Sequence, residues 1–213
     1  MVSIILLAMV AAFLALRLYS VLGKRTGHEQ TFVAPSERST RPVVTVGEEG
    51  AAQPAPGSDS PVEPRATAGV RAIAQAESGF DAERFLAGAK AAYRTVLEAF
   101  WRGDADAIAP LADAHVSQTF ATAIAERKQA GFTLDNRLVA IEQAVITDAK
   151  AENGVAEVTV RFDADIAAVT RDASGKVVAG SLSDAVPSHD SWTFRRELRS
   201  PNPNWLLIDT HSA

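Results

Sequence analysis

The stretch Val155–Thr170, VAEVTVRFDADIAAVT, decides how this chain folds. Its residues alternate in character: Ala156, Val158, Val160, Phe162, Ala164 and Ile166 share one parity, and Glu157, Thr159, Arg161, Asp163 and Asp165 share the other. A strand sends successive side chains to opposite faces, so period-two alternation predicts a strand with one buried and one polar face. Asn153-Gly154 directly before it is a strong hairpin signal, because a two-residue type I′ turn needs two positive φ angles. Leu138 to Ala149 is the strand on the other side of that turn. Ser174-Gly175 turns the chain again into Lys176–Leu182, Ser191–Leu198 puts Trp192 and Phe194 on one face, and Asn204–Thr210 closes the series.

Upstream of these strands the period changes. Phe85, Ala89, Tyr93, Val96, Leu97 and Phe100 recur at helical spacing behind Asp81, which suits an N-cap, and Gly103 suits the C-terminal stop. Asp104 begins a short helix through Leu111. Val116, Phe120 and Ile124 mark another that runs to Gly131. Helices followed by hairpin-linked strands predict an α+β fold, with the N-terminal helices packed on one face of a curved antiparallel sheet.

The region before Gly79 has a different composition. Six of the ten prolines (Pro35, Pro42, Pro54, Pro56, Pro61, Pro64) stand there among Gly, Ser, Ala and mixed charges. Residues 23–78 therefore read as a Pro-rich flexible linker, with Arg71-Ala-Ile-Ala as the one place where a helix starts early. As a flexible coil ~50 residues span ~40 Å. The folded domain is expected over 79–213.

Residues 2–22 read as a transmembrane anchor. Val2 to Leu16 holds no charge, and Leu18–Leu22 extends the run to a length that crosses ~30 Å of hydrocarbon. No basic residue precedes the run, and no small-residue cleavage site follows it, which argues against a secretory signal. Arg17 snorkels, Tyr19 suits the interface, and Lys24 and Arg25 form a basic collar. Positive charge on that flank alone orients the N-terminus outside and the C-terminal domain in the cytoplasm.

The chain has no cysteine, which removes disulfides, thiolate metal sites and cysteine nucleophiles. Net charge is −5: seven basic and seven acidic residues precede Gly79, and 14 against 19 follow. An acidic domain disfavours nucleic acid as a partner. His28, His115, His189 and His211 show no metal-ligand spacing, and no phosphate loop or nucleophile elbow is present. His189-Asp190 is an adjacent acid–base pair whose side chains point to opposite faces of a strand, and Asp163 with Asp165 lies on the polar face. No catalytic residue, cofactor site or metal site is assigned. Phe85, Tyr93, Phe100, Trp101, Phe120, Phe162, Trp192, Phe194 and Trp205 are expected in the core, with Tyr93, Phe100, Trp192, Phe194 and Trp205 as candidates to line a pocket between helices and sheet.

RFLAGAKAAYRTVLEAFWRGD (84–104), SQTFATAIAERKQAG (117–131), AEVTVRFD (156–163) and DSWTFRRELRSPNPNWLLIDT (190–210) together resemble the C-terminal domain family of the mitochondrial import inner membrane translocase subunit 44. The pairing of WTF at 192–194 with PNW at 203–205 is the most specific part. The leader SIILLAMVAAFLALRLYSVLGKRTG (3–27) resembles the anchor of bacterial members. The resemblance implies a nuclear-transport-factor-2-like cone, attachment to the inner (cell) membrane, protein partners there, and a non-enzymatic binding role in translocation, assembly or quality control. The family's chaperone-recruiting region has no counterpart here. A small-molecule-binding or acid–base enzyme on the same cone is the alternative, since a fold alone does not fix function.

Overall fold

A computed structural model describes residues 60–212. The expected anchor at 2–22 and its interface residues Arg17, Tyr19, Lys24 and Arg25 lie outside the described residues, as does most of the linker. Among the described residues no helix is long and apolar enough to cross a membrane.

Among the described residues four α-helices precede five strands: α1 (Thr67–Ala76), α2 (Ala82–Arg102), α3 (Ala105–Ile108), α4 (Ala114–Gln129), β1 (Thr133–Leu134), β2 (Arg137–Glu152), β3 (Val155–Arg171), β4 (Val177–Glu197) and β5 (Leu206–Ser212). Asp81, Asp104 and Asp113 each accept a hydrogen bond from a backbone N–H three residues on, capping α2, α3 and α4. Gly103 ends α2 at φ 76°, a left-handed conformation that suits glycine. Arg127 donates to the carbonyls of Phe100 and Trp101, and Lys128 to that of Gly103, so the basic last turn of α4 satisfies the end of α2.

All strand pairings are antiparallel. β3 is central, flanked by β1 and β2 on one side and by β4 on the other, and β5 pairs with β4. Asn153 and Gly154 both take positive φ in the β2–β3 turn, as their sequence predicts. Ala156, Val158, Val160, Phe162 and Ala164 face the helices and are buried. Tyr93 stacks on Phe162 at a centroid distance of 4.4 Å and tilts against Trp192 at 4.7 Å, at the centre of the core. Register shifts in β2 at Leu138/Ala140, Ile141/Gln143 and Ile146/Asp148 are bulges of the kind that bend a sheet around its core.

Two boundaries differ from the sequence expectation. Residues 60–78 are not linker. Val62 bridges Ile146 in parallel, Pro64–Ala66 form a 3-10 turn that opens α1, and Ala66 and Ile73 are fully buried. Pro64, read as spacer, sits where proline is tolerated, at the first turn of a helix. Second, Lys176–Leu182 and Ser191–Leu198 belong to one strand, β4, because Val186–Asp190 pair with β3 despite Pro187. The join is irregular: Leu182–Ala185 stand opposite Ala167 alone. Beyond β5, which reaches only to Asp190, the outer flank of β4 carries exposed Val177, Val178, Leu182 and Val186.

Candidate functional site

The outward face of α2 holds Gly88, Ala91, Ala92 and Thr95, side chains too small to fill the space above them. Glu77, Gly79, Phe80 and Asp81 line it together with Pro203, Asn204 and Trp205. Pro110 and Leu111 stand at its end, and the groove so formed is about 730 Å³. That volume is in the range of small-molecule and peptide sites. Phe85 turns inward from α2 and meets Trp205 edge-on at 4.8 Å and Phe194 at 5.9 Å. Phe80 packs 5.8 Å from Phe85 and 5.9 Å from Trp205, completing an aromatic cluster along one wall.

An ion pair closes the groove beside that wall. Arg196 Nη1 of β4 reaches Glu77 Oε1, at the C-terminus of α1, over 2.6 Å. The contact is one-pronged: Glu77 Oε2 and Arg196 Nε are shielded from water and have no hydrogen-bond partner. Bidentate pairing would have satisfied both atoms. At the rim, Asp81 is engaged as the cap of α2, accepting from the Arg84 backbone N–H at 2.7 Å.

Of the five aromatic side chains expected near a pocket, Phe194 and Trp205 line this groove. Tyr93 and Trp192 lie in the core, and Phe100 packs against Phe120 at 5.4 Å beneath the Arg127 guanidinium. Phe80 and Glu77 were not marked by sequence. Nothing in the pattern near them signals that residues from four separate stretches meet; only the apolar Phe80 before the Asp81 cap hinted at a packed helix entry.

The candidate acid–base residues lie elsewhere. His189 Nδ1 is 2.7 Å from Asp163 Oδ1 on the outer face of the sheet, where Arg161 also contacts Asp163 at 3.5 Å. Asp190 points to the opposite face, so the adjacent pair is split as strand geometry requires. There Asp190 Oδ2 accepts from Tyr93 Oη at 2.6 Å and Ser188 Oγ at 2.9 Å, and Oδ1 from Ser212 Oγ at 3.0 Å. Burial, helped by the Asp190 carboxylate, pushes the Tyr93 phenol above its usual range. Asp165 is half-buried and His115 exposed. His211 pairs with Asp209 at 2.7 Å. None of these side chains lines the groove. Among the described residues, no group of three His, Asp or Glu is placed to hold a metal ion.

The polar sheet face is laced by charge. Glu157 accepts from Lys150 at 2.8 Å and from Arg195 at 2.8 Å, and these bonds hold its carboxyl below the usual range. Thr159 and Thr193 pair at 3.0 Å.

Helices seated on one face of a bulged antiparallel sheet, with an aromatic-walled groove on the helical side, define the class: an α+β module with a built cavity. The Tim44-like domain family matches this chain over residues 66–212, and the chain belongs to that family. This agrees with the resemblance read from its motifs. A solved structure of the intermembrane space region of chloroplast protein ARC6 is similar at a TM-score of 0.41 and 12% identity, covering 67% of this chain and 95% of that one. No curated protein matches the chain.

Proposed function

We propose that this protein is a membrane-anchored scaffold whose Tim44-like domain binds other membrane proteins during translocation, assembly or quality control. The supporting observation is the 730 Å³ groove, whose walls are largely aromatic and small and whose two carboxylates are already engaged, Glu77 with Arg196 and Asp81 as the cap of α2. Such a lining supplies apolar contact area and shape, which are the means of binding. Catalysis would need a titratable group aimed at a substrate. On this reading the protein is not an enzyme.

The placement in the cell rests on residues 2–25: a single-pass anchor in the inner membrane with its N-terminus outside and the domain in the cytoplasm. Alkaline phosphatase fused after residue 30 is then silent, and an active fusion reverses the orientation.

The binding reading is tested by a photo-cross-linking side chain placed at Ala92 on the groove floor, in native membranes. The expected products are discrete adducts with membrane proteins. Adducts with bulk lipid alone would remove protein binding as the role of the groove.

A further inference from the structure

The segment that leads into the groove is held unlike the rest of the domain. Pro61–Glu77 lies along β2 through two backbone bonds, Ile146 N–H to Pro61 O and Glu63 N–H to Ile146 O, both 2.9 Å. Arg65 Nε adds a bond to Thr147 O at 2.8 Å, and Glu63 pairs with Arg161 at 2.9 Å. Its helix α1 buries Ile73 alone, and the turn before it buries Ala66, whereas α2 buries seven side chains. α1 has ten residues and no side-chain cap at its N-terminus, and it includes Thr67, Gly69, Val70 and Ile73. A helix of ten residues with no side-chain cap does not persist alone, so its order comes from docking. Docking in turn depends on Gly69, because a Cβ there would overlap the Ala149 carbonyl oxygen.

The same segment ends as a wall of the groove. Glu77, Gly79 and Phe80 continue directly from α1, and the Glu77–Arg196 contact is the last tie between segment and sheet. That tie leaves two buried atoms without partners. Undocking breaks one ion pair but returns both orphaned atoms to water, so the latch is weaker than its burial implies.

We infer that Pro61–Glu77 is a detachable strap that docks and releases as one unit, and that its release opens the wall of the groove at Glu77, where the contact with Arg196 is broken. Gly79, with open space around its Cβ position, is the hinge between strap and α2. The strap's few buried side chains place it at the low end of local stability, whereas β3, buried along one face and paired on both edges, stands at the high end. An occupant that touches Glu77 binds the docked form better and holds the strap down. By linkage, a docked strap raises affinity for that occupant by the same factor. This inference does not depend on which molecule fills the groove.

The test uses the full chain in lipid nanodiscs. Backbone hydrogen exchange should show amides 67–76 opening about 100-fold more often than Val158–Phe162. Gly69→Ala and, separately, Glu77→Gln should speed exchange of 67–76 about tenfold further and leave β3 protected. The natural chain has no cysteine, so Ala92→Cys reports access to the groove. Its labelling by a bulky maleimide should accelerate about tenfold in the Gly69→Ala background. Exchange of 67–76 in step with β3, in the natural chain or in both variants, overturns the strap. Faster strap exchange with unchanged labelling overturns its control of the groove.

Discussion

Tyr93, from the middle of α2, donates its phenolic hydrogen to Asp190 of β4 across 2.6 Å. The bond runs from the interior of the core to the end of the strand pair β4–β5, where Ser188 and Ser212 also donate to Asp190. It ties the helix layer to the sheet through a carboxylate at the edge of the core. Removing the hydroxyl in Tyr93→Phe should cost about 1.5–3 kcal/mol, the usual size for a hydrogen bond to a charged group. Chemical denaturation of the variant checks this, and a loss below experimental error would show the bond to be idle. The phenol is raised above its ordinary range, so its contribution is present below about pH 10 and is lost as pH rises through the folded value. In a Tyr19→Phe background, absorbance at 295 nm should therefore show no phenolate until the domain unfolds.

Glu157 sits between Lys150 and Arg195 and is held mainly by the Lys150 hydrogen bond. Its pKa is lowered in the folded state, so the stability it adds is present above the ordinary carboxylate value. That stability is lost as pH falls through the depressed one. Lys150 is raised by the same contact, and its share is lost only as pH rises through its own raised value. Glu157→Gln should lower stability by about 1 kcal/mol or less at pH 7, with the gap to the natural chain closing below about pH 4. Thermal melts across pH decide it: a gap that widens in acid contradicts the assigned sign.

Gly88 stands mid-helix on the floor of the groove, and nothing lies within 4 Å of where its Cβ would be. Gly88→Ala should stabilise α2 by about 0.5–1 kcal/mol, because alanine has less backbone entropy to lose. Gly88→Trp should project into the groove and block photo-cross-linking from Ala92 while the melting temperature holds. Unchanged cross-linking would mean the partner docks elsewhere.

Gly180 takes φ 82° in β4, and a Cβ there would overlap the Ala168 carbonyl oxygen of β3. Gly180→Ala should cost about 2–4 kcal/mol, combining strain at a positive φ with displacement of the neighbouring strand. Equilibrium unfolding measures it. A cost near zero would show that β4 relaxes away from β3 at that point.

Most of the framework was legible because local rules agreed with the tertiary answer. Asp81, Asp104 and Gly103 mark helix ends by chemistry that acts within four residues, and Asn153-Gly154 fixes a turn by its φ requirements. Val155–Thr170 alternates because one face of β3 meets the helices. Of the strap, only the helix start at Arg71-Ala-Ile-Ala is legible, because its prolines, alanines and glycine are what a spacer also contains. What orders it is the edge of β2, some 80 residues away. β4 was split in two because Pro187 and the Ser and Asp residues around it look like a turn, while pairing with β3 keeps them extended. The groove was half legible. Phe194 and Trp205 were marked, but the Glu77–Arg196 tie joins residues whose proximity no local pattern encodes.

The irregular middle of β4 bears on how the protein behaves when crowded. A flat, unpaired strand with exposed Val177, Val178, Leu182 and Val186 would invite a second chain to zip on. Four residues thrown against one at Leu182–Ala185, followed by a proline that offers no amide hydrogen, break the row of hydrogen-bonding groups before it is long enough to template anything. Deleting the extra residues should leave a longer regular margin that self-associates as concentration rises, which light scattering would read.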